Sequence, residues 1–364
     1  MRIGVTCNCF ARSGGMEQYA LNLIEALIRK GHTPVIFTMS ADPTLPAYPH
    51  CEVHVCPMNW RWLPNKLHVA YFNSWLRKEK ARTEVAFTIA CCLSGSAEIV
   101  VCGGNHIGFL KAMGRTPSFW DKWIINLEKR EYAECKFVVA HANTMNIELQ
   151  KYYGLPAEKI AVIYPPQTFK PLTASMDKAA LREEFELPKD RTLFLFPSSS
   201  HKRKGFELLK TYFEKTEYPE TLIVAGRPVK GEYKNVKYIG FCKEMQKLYQ
   251  ACDYTILASF YDPLGTAGLE SVWNGTPSIM GNTIGCCEVL DSRSLRSFDV
   301  HSLKALSDVM EDVRKNPIRL EPPFISSTLI RSACRPLISM LTSSSKSASG
   351  FLRARLTPGI NTPL

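Results

Sequence analysis

Short apolar runs alternate with amphipathic segments along most of the chain. Residues 3–9 and 35–38 are apolar runs that predict buried strands, and residues 16–30 between them place their apolar side chains on one helical face. The same strand–helix alternation returns between residues 192 and 314, after a stretch with three prolines at Pro165, Pro166 and Pro171. The pattern therefore predicts an α/β fold with two domains.

The pattern fails beyond Pro317. Glu321 is the last acidic residue, and the remainder is rich in serine and basic residues. Such a composition offers too little apolar surface to build a core. We expect residues 321–364 to form an atypical basic, Ser-rich tail that is partly disordered.

Composition narrows the class of protein. The chain has 364 residues, 45% of them hydrophobic and 22% charged, which is typical of a globular protein with two ordinary cores. The net charge of +11 indicates an anionic partner, which is a phosphorylated substrate, a membrane surface or a nucleic acid. We find no signal peptide and no convincing transmembrane segment, and we read the 13 cysteines as reduced core residues of a cytoplasmic protein.

The most informative stretch is Tyr261 to Glu270, which follows the apolar run 254–259. Asp262-Pro263 breaks the strand, Gly265 allows close backbone approach, and Thr266 and Ala267 open a predicted helix. The N-terminus of a helix suits a phosphate. Carboxylates at Asp262 and Glu270 suit hydroxyl groups, so the stretch predicts a nucleotide-sugar site; incidental acids on a structural helix are the alternative.

Three further loops carry candidate chemistry. Arg203 and Lys204 precede a predicted helix and suit phosphate oxygens, unless they are merely an exposed basic loop. Gly14 and Gly15 follow the first strand, where paired glycines admit an anion or simply form a tight turn. His106 lies on a glycine-flanked loop after another strand and serves either a sugar hydroxyl or the loop itself; we prefer it to His141, which also follows a strand.

Aromatic and basic residues alternate between residues 59 and 82. Membrane contact through such a segment is predicted for Trp60, Trp62, Lys66, Trp75 and Arg77. A partly buried helical hairpin with a solvated basic face is the alternative. Single-stranded nucleic acid also suits this composition, but no recognised motif supports nucleic acid, and we expect none to bind.

The stretch Asp262-Pro263-Leu264-Gly265…Glu270…Gly275-Thr276-Pro277 resembles the signature of retaining glycosyltransferases of family 4, with Asp262 in place of the usual Glu. Gly14, Gly15, Glu17, Gly31 and His32 look like the family's N-terminal signature. The resemblance covers roughly residues 1–315 and includes lipopolysaccharide-core enzymes. It implies a GT-B fold of two Rossmann-like domains facing across a cleft, with an acceptor-side domain at 1–167 and a nucleotide-sugar domain at 168–320.

The resemblance also implies roles for individual residues. Arg203 and Lys204 would neutralise the leaving diphosphate, together with the backbone at Gly15 and Gly265–Ala267. Glu270 would bind ribose hydroxyls, Asp262 the donor sugar, and the backbone of Gly240 and Phe241 the nucleobase. His106 resembles a histidine that faces the sugar. The arginine usually found upstream of the lysine is missing, because Ser198 or Ser199 stands there.

We therefore expect a hexosyltransferase that needs neither metal nor cofactor, since no Asp-x-Asp motif is present. Its partners would be a nucleotide-sugar donor and a saccharide or lipid-linked acceptor of bacterial lipopolysaccharide or surface-glycan synthesis. It would work in the cytoplasm, in contact with the inner face of the cell membrane. A nucleotide-sugar epimerase and a non-catalytic nucleotide-sugar-binding protein remain the alternatives.

Overall fold

The computed structural model describes residues 1–57, 62, 64, 67–165 and 177–320. These residues separate into two compact units, each built around one parallel sheet. The predicted domain boundary at residue 167 and the tail 321–364 lie outside the described residues, so both stay predictions.

The first unit contains a seven-stranded sheet in the order β3-β2-β1-β4-β5-β6-β7, with every described pairing parallel. Its strands are β1 (Arg2–Phe10), β2 (Thr33–Ala41), β3 (Glu52–Val55), β4 (Thr88–Ala90), β5 (Ile99–Cys102), β6 (Phe137–Ala140) and β7 (Ile160–Val162). The order reverses between β1 and β4. In open parallel sheets, ligands bind beside the carboxyl ends of the strands at such a reversal.

Helices cover this sheet. They are α1 (Gly15–Arg29), α2 (His68–Lys80), α3 (His106–Ala112), α4 (Phe119–Glu134) and α5 (Asn143–Tyr153), with short 3-10 helices at Tyr48–His50 and Ala157–Lys159. The apolar face of α1 forms because Ala20, Leu23, Ile24 and Leu27 recur at helical spacing, and all four are buried in the main core of the unit.

The second unit contains a six-stranded parallel sheet in the order β10-β9-β8-β11-β12-β13. Its strands are β8 (Thr192–Ser198), β9 (Glu220–Gly226), β10 (Val236–Tyr238), β11 (Tyr254–Leu257), β12 (Ser278–Gly281) and β13 (Leu295–Phe298). Its helices are α6 (Lys178–Glu184), α7 (Phe206–Lys215), α8 (Met245–Ala251), α9 (Thr266–Trp273) and α10 (Leu303–Lys315), with a 3-10 helix at Gly285–Glu288. The order reverses between β8 and β11, which is where the two predicted phosphate loops begin.

The α/β prediction is confirmed by two parallel sheets with helices between their strands. The short strands β3, β4 and β13 were missed, because three or four residues give too little pattern to identify a strand. One site residue also changes its setting. His106 was placed on a loop, but it is the first residue of α3.

Candidate active site

A tight turn joins β11 to α9 in the second unit. Gly265 has a left-handed backbone (φ +68°) and precedes the helix, and a Cβ at this position would lie 2.1 Å from the Ile284 Cγ2 atom. The backbone N–H of Gly265 donates to the Asp262 Oδ1 atom at 3.1 Å. The turn therefore depends on glycine at position 265 and on the side chain of Asp262. The first N–H groups of α9, at Thr266 and Ala267, follow this turn and have no acceptor within the helix.

The basic loop after β8 packs against this turn. The Arg203 carbonyl accepts from the Phe260 N–H at 2.9 Å, and the Arg203 guanidinium donates to the Tyr261 carbonyl at 2.7 Å. The same guanidinium nitrogen lies 3.5 Å from the Asp262 Oδ2 atom. Both loops follow neighbouring strands, so tertiary structure brings Arg203 and Asp262, which are far apart in sequence, into one ion pair.

A cavity of about 650 Å³ opens where these loops meet. It is lined by Pro197, Ser198, Ser199, Lys204, Ala225, Gly226, Arg227, Phe241, Cys242, Met245, Tyr249, Thr266, Ala267 and Glu270. The cavity thus unites a lysine, the first turn of a helix and a carboxylate. That combination suits an anion with hydroxyl groups attached.

Burial shifts the pKa values of two charged groups that line the cavity, Lys204 and Glu270. The pKa of Lys204 is lowered by burial, against the opposing effect of Asp262, and its ammonium donates to the Pro197 carbonyl at 2.9 Å. The pKa of Glu270 is raised by burial, although the Tyr249 hydroxyl donates to its Oε2 atom at 2.9 Å and Lys204 lies nearby. An incoming ligand that pairs with both groups would offset part of the free-energy cost of their desolvation.

Gly240 and Phe241 lie beside the same cavity. The Gly240 carbonyl accepts from the Gly226 N–H at 2.7 Å, which joins the loops after β9 and β10. Phe241 lines the cavity, and 79% of the residue is exposed. An aromatic face exposed to solvent at the rim of a polar cavity is a suitable stacking surface for a flat ring.

A larger groove of about 980 Å³ lies at the opposite edge of this sheet, beside Thr192 and Tyr254 at the starts of their strands. None of the predicted site residues is among the described residues that line it. We place the candidate site in the smaller cavity, because ligands of parallel sheets bind at the carboxyl ends of the strands.

The glycine loop of the first unit is open at Gly15, whereas a Cβ on Gly14 would lie 2.4 Å from the Glu17 Oε2 atom. Gly14 precedes α1, and a Cβ added to Gly15 would have no heavy atom within 4 Å among those compared. Next to this loop, a Cβ on Gly103 would lie 2.3 Å from the Met16 Sδ atom and 3.1 Å from the His141 Nδ1 atom. The loops after β1, β5 and β6 therefore converge, as the parallel sheet requires.

His141, which was ranked below His106 from the sequence, also lies at this edge. It is 4% exposed, its ring packs against Tyr19 with centroids 4.5 Å apart, and its Nε2 atom has no hydrogen-bond partner among the described residues. Burial lowers its pKa to about 3.

His106 is held from two sides. Its Nε2 atom lies 2.7 Å from the Asp121 Oδ1 atom, and its backbone N–H donates to the Glu128 carboxylate at 3.1 Å. Glu128 in turn accepts from the Tyr153 hydroxyl. Asp121 was not singled out from the sequence, although Ser118-x-x-Asp121 is a capping-box pattern that the structure forms in full.

The aromatic and basic segment is only partly described. Trp60 and Lys66 lie outside the described residues. Trp62 is 92% exposed and Arg77 is exposed, whereas the Trp75 ring packs against Phe37 and Phe72. Among the described helices, none has both the length and the apolar character that crossing a bilayer requires.

Both halves of the chain match models of known protein families. Residues 13–166 match the family model described as Glycosyltransferase Family 4, and residues 177–322 match the model described as Glycosyl transferases group 1.

Individual relatives cover nearly the whole chain. A probable transglycosylase of Burkholderia thailandensis is 37% identical over 328 residues, which are 88% of this chain and 90% of that protein. The structure also resembles that of WaaG, a glycosyltransferase involved in lipopolysaccharide biosynthesis, with a TM-score of 0.71, 13% identity and coverage of 97% and 98%. Anabaena HepE, solved in complex with UDP-glucose, gives a TM-score of 0.64 at 18% identity, with coverage of 93% and 100%.

Proposed function

The chain belongs to the family 4 glycosyltransferases and has their GT-B fold, and we propose that it is a metal-independent retaining hexosyltransferase with a nucleotide-sugar donor. We further propose that its acceptor is a saccharide or lipid-linked saccharide of lipopolysaccharide or surface-glycan synthesis. The observation that carries the donor proposal is the cavity that unites Lys204, the first turn of α9 and Glu270. The UDP-glucose complex of HepE supports the donor class, and the involvement of WaaG in lipopolysaccharide biosynthesis supports the acceptor class.

Lys204 and the backbone N–H groups of Thr266 and Ala267 have the positions to receive a diphosphate. When the bond between sugar and phosphate breaks, negative charge grows on the leaving diphosphate, and prearranged donors stabilise that charge. The buried ammonium of Lys204 acts more strongly there than it would in water, because little solvent competes with it. The same role is proposed for Arg203, whose guanidinium lies 3.5 Å from the Asp262 carboxylate at the adjoining turn.

Glu270 and Asp262 would bind hydroxyl groups of the donor. Glu270 lines the cavity and has one oxygen held by Tyr249, which leaves acceptor capacity for a ribose. Asp262 already accepts from Gly265 and lies near Arg203, but each carboxylate oxygen has two lone pairs. We therefore assign Asp262 to the donor sugar and to the shape of the turn, and Phe241 with Gly240 to the nucleobase.

We propose His106 as the residue that meets the acceptor, and Gly14 and Gly15 as a second set of backbone donors to the diphosphate. Peripheral contact with an anionic membrane is proposed for the segment that contains Trp60, Trp62, Lys66, Trp75 and Arg77. Trp62 and Arg77 support it because both are exposed. The packed ring of Trp75 gives that residue a structural role as well.

The donor proposal predicts that one nucleotide class stabilises the protein. Thermal unfolding would be followed with UDP-, GDP-, ADP- and CMP-sugars, and the binding partner should raise the midpoint because it binds only the folded state. Glu270→Ala should lower the affinity for that nucleotide sugar by about 10- to 100-fold, since hydrogen bonds to charged groups contribute about 1.5–3 kcal/mol.

Glu311→Ala, which changes an exposed glutamate of α10, is the matched control and should bind as the wild type does. No stabilisation by any nucleotide sugar in folded protein would contradict the proposal. Product analysis with donor alone separates a transferase, which needs an acceptor, from an epimerase, which does not.

A further inference from the structure

The cavity of the second unit contains two basic side chains that differ in their surroundings. Among the described residues that line it, these are Lys204 and Arg227, and the Lys204 ammonium donates to the Pro197 carbonyl. Arg227 is exposed, and its guanidinium forms no hydrogen bond or ion pair with a described residue. The cavity therefore holds a set of charged donors that a ligand can meet directly.

The backbone that carries Arg227 is fixed. The Arg227 N–H donates to the Ser198 carbonyl at 2.8 Å, and the Gly226 N–H donates to the Gly240 carbonyl at 2.7 Å. Gly226 has φ +113°, and a Cβ at that position would lie 2.6 Å from the Ser198 carbonyl oxygen. Pro228 follows and restricts Arg227 to extended backbone conformations. Because the loop is already ordered, only the side chain of Arg227 has to be immobilised when a ligand binds.

Strand order separates Arg227 from the first turn of α9. Along the sheet β11, β8, β9 and β10 are neighbours, and their carboxyl ends are followed by α9, Lys204, Arg227 and Phe241, respectively. Neighbouring strands lie about 4.8 Å apart, so the strand before Arg227 lies two spacings, about 10 Å, from the strand before α9. The strand before Phe241 is only one spacing from that of Arg227. A nucleotide whose diphosphate lies at Lys204 and α9 therefore has its base beside Arg227 and Phe241.

The guanidinium discriminates between bases because it only donates hydrogen bonds. Uracil presents a carbonyl oxygen at O4, and guanine presents O6 beside N7, whereas cytosine and adenine carry an amino group at the equivalent position. An arginine gains hydrogen bonds from the carbonyl, but its donors face further donors at the amino group. The exposed ring of Phe241 does not make this distinction, since every base has a face on which an aromatic ring can stack.

We propose that Arg227 is a specificity-determining residue of the donor site, which donates to the ring carbonyl of uracil or guanine and disfavours cytosine and adenine. This role rests on the proposed nucleotide-sugar site, and it narrows the donors to sugars carried by UDP or GDP. The carbonyl is common to both bases, and a direct comparison of UDP with GDP identifies which one the cavity accepts.

Isothermal titration calorimetry of the full chain tests this selection with two pairs of nucleotides. UDP and CDP differ in having a carbonyl or an amino group at ring position 4, and inosine diphosphate and ADP differ in the same way at position 6. The wild type should bind the carbonyl member of at least one pair about 5- to 150-fold more tightly, which is the discrimination that a pairing of arginine with a base provides.

Three variants assign the preference to the guanidinium. Arg227→Met removes the donors and should bring the preferred pair to nearly equal affinity by weakening the carbonyl nucleotide. Arg227→Lys keeps the charge without the planar fork, so it should retain only part of the preference. Lys230→Met is the matched control, because Lys230 is an exposed basic residue of the same loop and is not among the described residues that line the cavity. Its affinities should equal those of the wild type.

Equal or tighter binding of CDP and ADP by the wild type would overturn the role of Arg227. An equal loss for both members of a pair in Arg227→Met would also overturn it, because that result assigns Arg227 to the diphosphate. If the chain shows the base preference but transfers no sugar from UDP- or GDP-sugars, the proposed function fails and the role of Arg227 stands. Preferential transfer from an ADP- or CMP-sugar has the opposite meaning, and a folded chain that binds no nucleotide contradicts both.

Discussion

At the scale of single residues, the sequence gives the positions of the candidate site residues. Burial and hydrogen bonding in the folded protein then set the pKa values of several of them. His106 and Lys204 were predicted from loops that follow apolar strands, and Glu270 from the helix that follows such a loop. Their partners Asp121, Pro197 and Tyr249 were not, because these hydrogen bonds depend on how the chain folds back on itself and not on a local sequence pattern. His141 was ranked below His106 from sequence, yet it is the more deeply buried of the two.

His141 gives a prediction about pH. Its folded pKa of about 3 lies below the ordinary value of 6.5, so below pH 6.5 the unfolded chain binds a proton that the folded protein excludes. This residue therefore stabilises the fold less as the pH falls from 6.5 towards 3, by up to about 1.4 kcal/mol per pH unit. His141→Gln should remove that component, measured as the free energy of unfolding in urea at several pH values.

Leu149→Ala serves as the control, since it removes a buried apolar side chain of α5 and no titrating group. Its free energy of unfolding should be lower at every pH, along a curve parallel to that of the wild type. Identical pH slopes for His141→Gln and the wild type would contradict the prediction. The raised pKa values of buried Glu128 and Glu131 act in the opposite direction but cancel in this comparison.

At the scale of elements, the proposed phosphate-binding loops depend on the backbone conformation of glycine. Gly265 and Gly205 both have left-handed backbones immediately before α9 and α7. Sequence alone identified the turn at Gly265 because aspartate, proline and glycine occur together there. The close approach of Ile284 from the loop after β12 depends on tertiary packing and was not predictable.

Gly265→Ala should lower the free energy of unfolding by about 1–2 kcal/mol for its left-handed backbone. A further loss of about 1–3 kcal/mol should come from the overlap with Ile284. Gly31→Ala is the matched control, because Gly31 has φ +75° but no neighbour within 4 Å, so only the backbone cost applies.

A double-mutant cycle separates the two contributions. In an Ile284→Ala background, the cost of Gly265→Ala should fall towards that of Gly31→Ala. Equal costs in both backgrounds would mean that Ile284 does not restrict this turn.

At the scale of the whole molecule, the net charge and the exposed aromatic side chains affect binding to other surfaces more than they affect folding. The net charge of +11 attracts anionic surfaces, and Trp62 is 92% exposed. Length and periodicity predicted two α/β domains, and two parallel sheets confirm the fold class. The strand orders, with reversals beside β1 and β8, came only from the structure.

The membrane proposal predicts that Trp62→Ala combined with Arg77→Ala weakens binding to vesicles containing anionic lipid, measured by co-sedimentation. Each basic residue near such a surface contributes about 1 kcal/mol, so the loss of Arg77 alone should lower binding about five-fold at low salt. Phe241→Ala, which removes an exposed aromatic residue at the donor cavity, should bind vesicles as the wild type does. If Trp62→Ala combined with Arg77→Ala binds vesicles as well as Phe241→Ala and the wild type do, the proposal is contradicted.

The sequence by itself determined the α/β class, most strands and helices, the loops that carry Lys204 and Gly265, and the helix that carries Glu270, because apolar periodicity, glycine and proline act over a few residues. Tertiary structure alone decided that Arg203 pairs with Asp262, that Tyr249 holds Glu270, and that Asp121 holds His106. Those contacts depend on strand order, which follows from the packing of whole segments. A cavity with paired charges therefore appears only when the parallel strands lie side by side.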